Sequence, residues 1–493
     1  MKLTFQKGIV QGVKADVAVA FIHQDDRLLH HELKTLNRQF KNQLSPLLDS
    51  DDFKGKTGQT AVVYLQGSTG LKRLVLVGLG EKKKTTLEQY RRASATGAKR
   101  ARSLKARTIA FEVPTNLPEK RDSLFAFAEG AFLSLYRYDK YMTKKNDDES
   151  TPEELVFCSS ENQIVTVAPQ VLVRAQTVCE ATCLARDLEN APANELYPET
   201  LAKAAKDSAD RNGYSATILD EYEIKELGMG GIVGVSQGSA RPPRFIILEY
   251  GSPAKKPVVL VGKGVTFDTG GISIKPAASM AEMKMDMSGA AAVIGTFEAV
   301  SRLRLPVHIV GLIPAVENMP SGTALRPGDI LKHFNGKTSE VDNTDAEGRL
   351  ILADALSYAE KYAPSAVIDL ATLTGACVVA LGQYATGMMG NDDTLMKTLK
   401  IAGEKTFERV WRLPMFDEYE KLIKSDVADV KNVGGRWAGA ITAAWFLRKF
   451  IGDYKWTHLD IAGTAILEEN LDYTPKGGSG VGVRLLTEFL KNW

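Results

Sequence analysis

Short apolar runs alternate with longer segments of helical periodicity in the first third of the chain. Thr60–Leu65 and Leu74–Val77 are short, apolar and rich in β-branched residues, which is typical of buried strands. Between Leu87 and Leu104 the apolar positions recur with the spacing of an amphipathic helix. The first part of the chain is therefore predicted to be an α/β unit.

The same alternation returns in the second part. Pro257–Gly262, His308–Ile313 and Ala366–Leu370 are short apolar strand candidates, and Ser288–Arg302 begins with Ser-Gly and continues as an Ala-rich helical segment. Apolar strands separated by helices predict a largely parallel sheet covered by helices.

Charge divides the chain into two predicted domains. Residues 1–160 contain 27 Lys and Arg against 19 Asp and Glu, a net charge of +8, whereas the remainder carries 35 against 41, a net charge of −6. The polar run Lys144–Pro152 lies between these parts and is typical of a domain end. We therefore predict domains at residues 1–160 and 161–493.

Composition excludes several classes of protein. The 493 residues are 44% hydrophobic and 25% charged with a net charge of +2, which is typical of a globular protein and excludes a strongly charged polyelectrolyte. Four cysteines lack a CxxC pair, Met1–Asp25 lacks the apolar core of a signal peptide, and the weakly charged stretch Ala363–Met389 is interrupted by Asp369 and three glycines. These features predict a cytoplasmic protein with reduced thiols and no membrane contact.

Several catalytic motifs are absent or incomplete. The six histidines form no HExxH motif, and Leu74–Gly80 begins like a dinucleotide-binding fingerprint but has Lys83 where the third glycine belongs. Gly234–Gly238 matches GxSxG in letters, but the glycine-rich string Gly228–Gly231 stands where a buried strand should precede it. A plain glycine-rich loop is the favoured interpretation there.

The most informative segment is Val261–Pro276. It leaves a buried strand and places Lys263, Asp268 and Lys275 among four glycines. Glycines allow tight turns, and the carboxyl ends of strands in open α/β sheets are where ligands bind. This loop is predicted to form part of a site.

Further carboxylates follow. Asp286 comes just before the Ala-rich helix, and Asp345, Glu347 and Arg349 are spaced at i, i+2 and i+4, so that an extended backbone would direct all three to one side. The four carboxylates together provide oxygen donors with a charge of −4, which two divalent cations would balance. They are Asp268, Asp286, Asp345 and Glu347. We expect a two-metal centre that activates water for hydrolysis, in which any ligating lysine is neutral.

Three sequence strings resemble the cytosol (leucyl) aminopeptidases: residues 262–271, Met283–Ala290 and, above all, Asn343–Leu350. The resemblance covers nearly all of residues 160–493 and is only general over residues 1–160. It also includes Ala185–Asn194, Ala371–Ala376 and His458–Gly463. It implies a macro-domain-like α/β domain at the amino terminus and a carboxyl-terminal α/β/α sandwich around a mixed sheet.

The resemblance also implies a ligand set. One metal would be held by Lys263, Asp268, Asp286 and Glu347. The other would be held by Asp268, by the carboxylate and main-chain carbonyl of Asp345, and by Glu347. Zn²⁺ or Mn²⁺ is the expected ion, with two per subunit. The catalytic residues implied are Lys275, for the substrate carbonyl, and Arg349, for a bicarbonate ion that takes a proton from the water.

For the substrate, the resemblance implies a short peptide with a free amino terminus and an apolar first side chain, Leu or Met rather than Asp or Lys. The implied pocket is lined by Met283, Thr372, Leu373, Gly375, Ala462 and Ala465. Some relatives carry methionine where Ala465 stands, which leaves the preferred size open. The implied assembly is a homohexamer, a dimer of trimers.

A second function remains open. Twelve basic residues lie from Lys72 to Arg107 against only Glu81 and Glu88, and such a surface could neutralise DNA phosphates as in some bacterial relatives. A solvated helix surface is the simpler interpretation. A catalytically inactive scaffold is disfavoured because every matched charged position is intact.

Overall fold

The computed structural model describes residues 1–24, 34, 37–38, 40–50, 52–66, 71–115, 117–143, 151–278 and 280–493. Most of the predicted linker, residues 144–150, lies outside the described residues. The chain forms two compact units. The first unit comprises Met1–Glu180 and Glu469–Pro475, and the second comprises Ala181–Glu468 and Lys476–Trp493.

The first unit contains a six-stranded sheet in the order β1-β6-β5-β2-β4-β3. Its strands are β1 (Lys2–Lys7), β2 (Val17–His23), β3 (Thr60–Tyr64), β4 (Arg73–Gly80), β5 (Thr108–Glu112) and β6 (Glu154–Ser159). All neighbours are parallel except β3, which is antiparallel to β4. The sheet is therefore mixed.

Among the described residues, four α-helices belong wholly or partly to this unit: α1 (Ser45–Asp49), α2 (Leu87–Ser103), α3 (Lys120–Leu133) and α4 (Asn162–Asn190). Helix α2 begins at a capping box, in which the Thr86 hydroxyl accepts from the Gln89 backbone N–H. Its Gly97 permits close packing on the sheet, because a Cβ there would lie 2.5 Å from Val19 Cγ1.

Helix α4 begins in the first unit and ends in the second. Its earlier part packs on the first unit: Gln176 Oε1 accepts from the backbone N–H of Leu3 at 3.1 Å, and the Arg174 guanidinium lies over the Phe125 ring at 4.5 Å. The boundary predicted at residue 160 falls just before this helix, whereas the compact units divide within it.

The second unit is built on a nine-stranded sheet in the order β16-β15-β18-β14-β9-β11-β8-β7, with β10 pairing only to β11. Strands β9, β10, β11, β14 and β18 are parallel to one another, and β8 and β15 are antiparallel to them. Smaller sheets are formed by β12, β13 and β17 and by β19 and β20. The strands are β7 (Ser215–Leu219), β8 (Arg244–Tyr250), β9 (Val258–Gly262), β10 (Gly264–Asp268), β11 (Ile309–Asn318), β12 (Ile330–Lys332), β13 (Thr338–Glu340), β14 (Ala366–Ala371), β15 (Thr386–Gly390), β16 (Val410–Arg412), β17 (Val430–Lys431), β18 (Trp456–Asp460), β19 (Ile466–Leu467) and β20 (Gly477–Gly478).

Helices cover both faces of this sheet. Alternate residues of β9 point to opposite sides: Leu260 joins one apolar cluster with helix residues 290–300, and Val259 joins another with helix residues 350–359. The α-helices are α5 (Pro198–Asn212), α6 (Glu221–Glu226), α7 (Gly230–Ser236), α8 (Ser288–Arg302), α9 (Glu347–Ala359), α10 (Gly375–Leu381), α11 (Asp393–Thr406), α12 (Gly439–Arg448), α13 (Ala462–Ala465) and α14 (Val483–Lys491). Short 3-10 helices occupy Val10–Gly12, Lys82–Lys84, Met280–Met285, Glu360–Tyr362 and Asp417–Ile423. The predicted fold class, two α/β domains with an α/β/α sandwich, is confirmed.

Two local predictions were wrong. The strand predicted to end at Ile313 continues to Asn318 through Pro314, which has no N–H to donate. Proline is tolerated because β9 pairs with β11 as far as Leu312 and β10 takes over at Ala315, so Pro314 falls between the two partners. The glycine-rich loop expected at the GxSxG string is partly helix α7. Within the described ranges, no helix combines the length and apolar character needed to cross a bilayer.

Candidate active site

The charged residues of the informative segment lie where the parallel strands of the second unit end. Lys263 follows the last residue of β9, and Asp268 is the last residue of β10. Asp286 lies two residues before α8, and Glu347 is the first residue of α9. Carboxyl ends of strands and amino ends of helices thus converge, and the positive ends of the helix dipoles favour negative charge there.

Lys263 occupies the centre of the cluster and is 3% exposed. Its Nζ lies 2.8 Å from Asp286 Oδ2 and 2.8 Å from Glu347 Oε1, and it donates to the carbonyl oxygen of Thr372 at 3.1 Å. Gly348 makes room for this side chain, because a Cβ at that position would lie 2.6 Å from Lys263 Cε. The Asn343–Leu350 string therefore supplies space as well as charge.

Lys275 pairs with the remaining two carboxylates. Its Nζ lies 2.7 Å from Asp268 Oδ2 and also contacts Asp345 Oδ1. The backbone N–H of Asp345 donates to Asn343 Oδ1 at 2.9 Å, which holds the turn before α9. The Lys275 side chain is 22% exposed, so its ammonium group is less deeply enclosed than that of Lys263.

Crowding of like charges shifts the pKa values of the carboxyl groups. Burial raises the pKa of Asp286 well above its ordinary value, and Glu347 and Asp268 reinforce the shift. Burial likewise raises the pKa of Glu347, and the Asp268 charge adds to it. Burial lowers the pKa of Lys263, but the surrounding carboxylates outweigh it and the net shift is upward. The cluster is thus an electrostatically unfavourable concentration of anions that demands cations.

The donor set fits divalent metal ions. Asp268, Asp286 and Glu347 each offer one oxygen, and these atoms lie within 4.8 Å of one another. Glu347 Oε2 is buried and has no hydrogen-bond partner among the described residues. Carboxylate oxygens are ligands that Mn²⁺, Zn²⁺ and other divalent ions accept. The unsatisfied oxygen and the shared negative charge both agree with cation binding here.

A cavity of about 520 Å³ adjoins the cluster. All seven residues predicted as ligands or catalytic groups line it: Lys263, Asp268, Lys275, Asp286, Asp345, Glu347 and Arg349. The apolar wall includes five of the six predicted pocket residues: Met283, Thr372, Leu373, Gly375 and Ala462. The sixth, Ala465, is fully buried in the apolar cluster, and the neighbouring Ile466 lines the cavity instead.

Arg349 is a buried residue that lines the cavity. Its Nη1 donates to the carbonyl oxygen of Asn432, whereas its buried Nε has no hydrogen-bond partner within the part of the chain described. Burial lowers the pKa of Arg349 to about 10. The extended backbone expected for residues 345–349 is wrong, because helix α9 begins at Glu347. Asp345 reaches the cavity from the preceding turn, and Glu347 and Arg349 reach it from the first helical turn.

Sequence analysis missed Asn318, the last residue of β11. Its Nδ2 donates to Asp268 Oδ1 at 2.8 Å and to the carbonyl oxygen of Thr344 at 3.0 Å. It therefore bridges the loop after β10 and the loop before α9. The available signal was topological: a polar residue ending a strand that pairs with the Asp268 strand.

The mixed sheet, the buried carboxylate cluster and the adjoining cavity are typical of a two-domain α/β enzyme that uses metal ions. A model of the catalytic domain of the cytosol aminopeptidase family matches residues 183–487, and a model of that family's N-terminal domain matches residues 17–145. The chain therefore belongs to the cytosol aminopeptidase family and is a metallo-exopeptidase. The predicted resemblance and enzyme class are confirmed.

Relatives of known sequence and structure extend over nearly the whole chain. A probable cytosol aminopeptidase of Geobacter sp. (strain M21) is 48% identical over 91% of each chain, and one of Alkaliphilus oremlandii is 40% identical over 100% of this chain and 99% of its own. A mutant of tomato leucine aminopeptidase has a TM-score of 0.89 at 35% identity, covering 100% of this chain and 97% of its own. The bottromycin maturation enzyme BotP in complex with Mn has a TM-score of 0.85 at 35% identity, covering 97% and 99%.

Proposed function

We propose that this enzyme is a two-metal aminopeptidase that removes apolar residues, preferably Leu or Met, from the amino termini of short peptides. The observation that carries the proposal is the convergence of Asp268, Asp286 and Glu347 oxygens within 4.8 Å beside a cavity that apolar side chains also line. Such a cavity can bind an apolar side chain while the carboxylates hold the ions that act on the adjacent peptide bond.

The proposed ligands divide into two sets that share Asp268 and Glu347. Lys263 and Asp286 complete one set, and the carboxylate and main-chain carbonyl of Asp345 complete the other. The ions, Mn²⁺ or Zn²⁺, would supply Lewis-acid activation of the hydrolytic water and of the scissile carbonyl. Lys263 can act as a metal ligand only in its neutral form, so metal binding should release the proton of its ammonium group.

Two cationic side chains have separate proposed roles. Lys275 presents its ammonium group at the cavity wall, where it can donate to the scissile carbonyl oxygen as negative charge develops. Stabilisation of that kind contributes on the order of 3 kcal/mol. Arg349, whose buried Nε has no hydrogen-bond partner among the residues that the structure describes, is the proposed site of a bicarbonate ion that accepts a proton from the water.

The cavity wall gives the proposed specificity its physical basis. Met283, Leu373 and Ala462 are uncharged and cannot compensate a buried ammonium or carboxylate group, so Lys or Asp in the first position would be desolvated without a partner. A free, neutral amino group is required as a metal ligand, and an acetylated terminus should therefore not be cleaved.

The decisive experiment measures hydrolysis of leucine p-nitroanilide by metal-stripped enzyme after addition of Mn²⁺ or Zn²⁺. We expect activity only with metal, none with the N-acetylated substrate, and a large loss in Asp345→Asn. Asp342→Asn is the matched control, because Asp342 is an exposed aspartate on the same loop. Absence of cleavage with every metal, or equal activity in the two variants, would refute the proposal.

We further propose that the enzyme is cytoplasmic and forms a homohexamer of two trimers. Several large apolar side chains are exposed on the second unit, among them Val379 (89%) and Trp437 (75%), and a subunit interface would cover such groups. Light scattering of the purified enzyme should give six times the 53.8 kDa chain mass. A monomer at micromolar concentration would contradict this assembly.

DNA binding through the first unit is a separate, second proposal. Lys82–Lys84 form an exposed 3-10 helix that could contact phosphates. Not all of the basic stretch is available: Arg91 is buried against Glu129, and Arg92 pairs with Glu88 at 2.8 Å. Duplex binding should weaken steeply with salt and disappear in Lys82→Glu/Lys83→Glu/Lys84→Glu, with peptidase activity retained. No binding at low salt would refute it.

A further inference from the structure

We propose that Asp460 is a positioning residue that fixes the apolar wall of the cavity and thereby sets selectivity for the first side chain of the peptide. The inference rests on the proposed function and deepens it. Asp460 is the last residue of β18 and pairs with Ala371, the last residue of β14. The segments that follow β14 and β18 each contribute residues to the cavity wall.

One carboxylate ties these two segments together. Asp460 Oδ1 accepts from the backbone N–H of Leu373 at 3.3 Å and from that of Ala462 at 3.2 Å, and Oδ2 accepts from the Thr374 hydroxyl at 2.6 Å. Leu373, Thr374 and Ala462 all line the cavity. Asp460 is only 1% exposed and lies behind them. It therefore acts on substrate only through the residues it holds.

The wall is anchored at its other end by the carboxylate cluster. The Thr372 hydroxyl donates to Asp286 Oδ1 at 2.7 Å, and the Thr372 carbonyl oxygen accepts from Lys263 Nζ. Residues 373 and 374 thus lie between an anchor at the reacting groups and an anchor at Asp460. Releasing the Asp460 anchor should move the wall that contacts the side chain and leave the carboxylate cluster in place.

The contacts match a carboxylate better than an amide. All three partners of Asp460 are donors, and an ionised carboxylate is the side chain that only accepts. The Thr374 hydroxyl already accepts from the backbone N–H of Cys377 at 3.0 Å, at the start of α10. In Asp460→Asn, the side-chain amide could keep its oxygen toward Leu373 and Ala462, but its NH₂ would then face the Thr374 hydroxyl, which could no longer donate to residue 460 and would have to turn its proton away.

The test compares kcat and KM for leucine and alanine p-nitroanilides in wild type and Asp460→Asn. We expect the Leu/Ala ratio of kcat/KM to fall about tenfold, mainly through KM for the leucine substrate, because poorer packing of a few methylene groups costs that much. Mn²⁺ affinity, measured by calorimetry, should stay within about twofold of wild type. An equal loss for both substrates, or a parallel loss of metal affinity, would overturn the inference.

Thr374 variants provide the matched controls and a second route. Thr374→Val removes the hydroxyl from the other side of the contact and should shift the Leu/Ala ratio in the same direction. Thr374→Ser keeps the hydroxyl and should restore most of the ratio. If thermal unfolding shows that Asp460→Asn does not fold, the Thr374 pair decides: equal ratios in Val and Ser variants would overturn the inference.

Direct binding separates this inference from the proposed function. Calorimetric titration with free L-leucine and L-alanine reports the preference of the wall without any catalysis. Preference for leucine in wild type that is lost in Asp460→Asn supports the inference even if no peptide is cleaved, in which case only the proposed function fails. A leucine preference that survives unchanged in Asp460→Asn and in Thr374→Val overturns the inference even if the enzyme is an active aminopeptidase.

Discussion

Replacement of Lys263 by methionine should strongly destabilise the metal-free enzyme. The Lys263 side chain is 4% exposed, and its ammonium group is 2.8 Å from both Asp286 and Glu347, whose side chains are 7% and 2% exposed. Methionine replaces the aliphatic stem but leaves two buried carboxylates without their common cation. Removing one partner of a buried ion pair costs about 3–5 kcal/mol of unfolding free energy.

The assay is scanning calorimetry of metal-stripped protein with Lys275→Met as the matched control. Lys275 also faces two carboxylates, and that of Asp268 is only 3% exposed, but the side chains of Lys275 and Asp345 are 22% and 33% exposed, so water partly screens this group. We expect a loss of about 1–2 kcal/mol for this control. A loss in Lys263→Met no greater than that in Lys275→Met would refute the argument that Lys263 compensates the buried charge of the metal-free site.

Three further changes test other parts of the second unit. Asn318→Leu removes a donor from Asp268 at similar side-chain volume and should lower Mn²⁺ affinity in calorimetric titration about 10- to 100-fold; an unchanged affinity would show that this hydrogen bond does not orient the carboxylate. Gly348→Ala should fold but displace the end of Lys263, so Mn²⁺ affinity should fall while the helix content measured by circular dichroism stays constant. Burial raises the pKa of the Glu189 carboxyl group to about 8, above its value in the unfolded chain. The protonated carboxyl group therefore contributes to the free energy of unfolding at low pH, and this contribution is lost as the pH rises through about 8. Glu189→Gln should therefore unfold at a higher temperature than wild type at pH 8 and show a much smaller advantage at pH 5; an equal advantage at both would contradict the shift.

The positions of the charged residues were predictable because each follows a local rule. Lys263 follows a strand that hydrophobic patterning locates, and Asp286 precedes a helix whose Ala-rich start is visible in the sequence. Asp268 was expected in a glycine-rich loop, whereas it is the last residue of the short strand β10. The pattern also predicted helix α8 at its observed bounds. Local rules failed where backbone geometry changes within two residues, as at Glu347, since i, i+2 spacing does not distinguish a strand from a turn that enters a helix.

The supporting residues were not predictable from local pattern. Asn318 and Asp460 lie 50 and 86 positions from the side chains they bond, Asp268 and Thr374. Each becomes a neighbour only through strand pairing, β10 with β11 and β14 with β18. Strand order in a mixed sheet depends on long-range packing that hydrophobic periodicity does not encode. A single polar residue at a strand end therefore gives no indication of what it supports.

The same topology explains how a dense cluster of carboxylates is held in place. Four carboxylates face only two lysines, so two negative charges remain uncompensated by side chains of opposite charge within the cluster. The amino ends of α8 and α9 lie at Asp286 and Glu347, and the Gly270 backbone N–H and the Asn318 amide donate to Asp268. These contributions stabilise anions and lower the cost of keeping the ligands in place. Because they do not neutralise the remaining charge, the site retains a strong electrostatic preference for divalent cations.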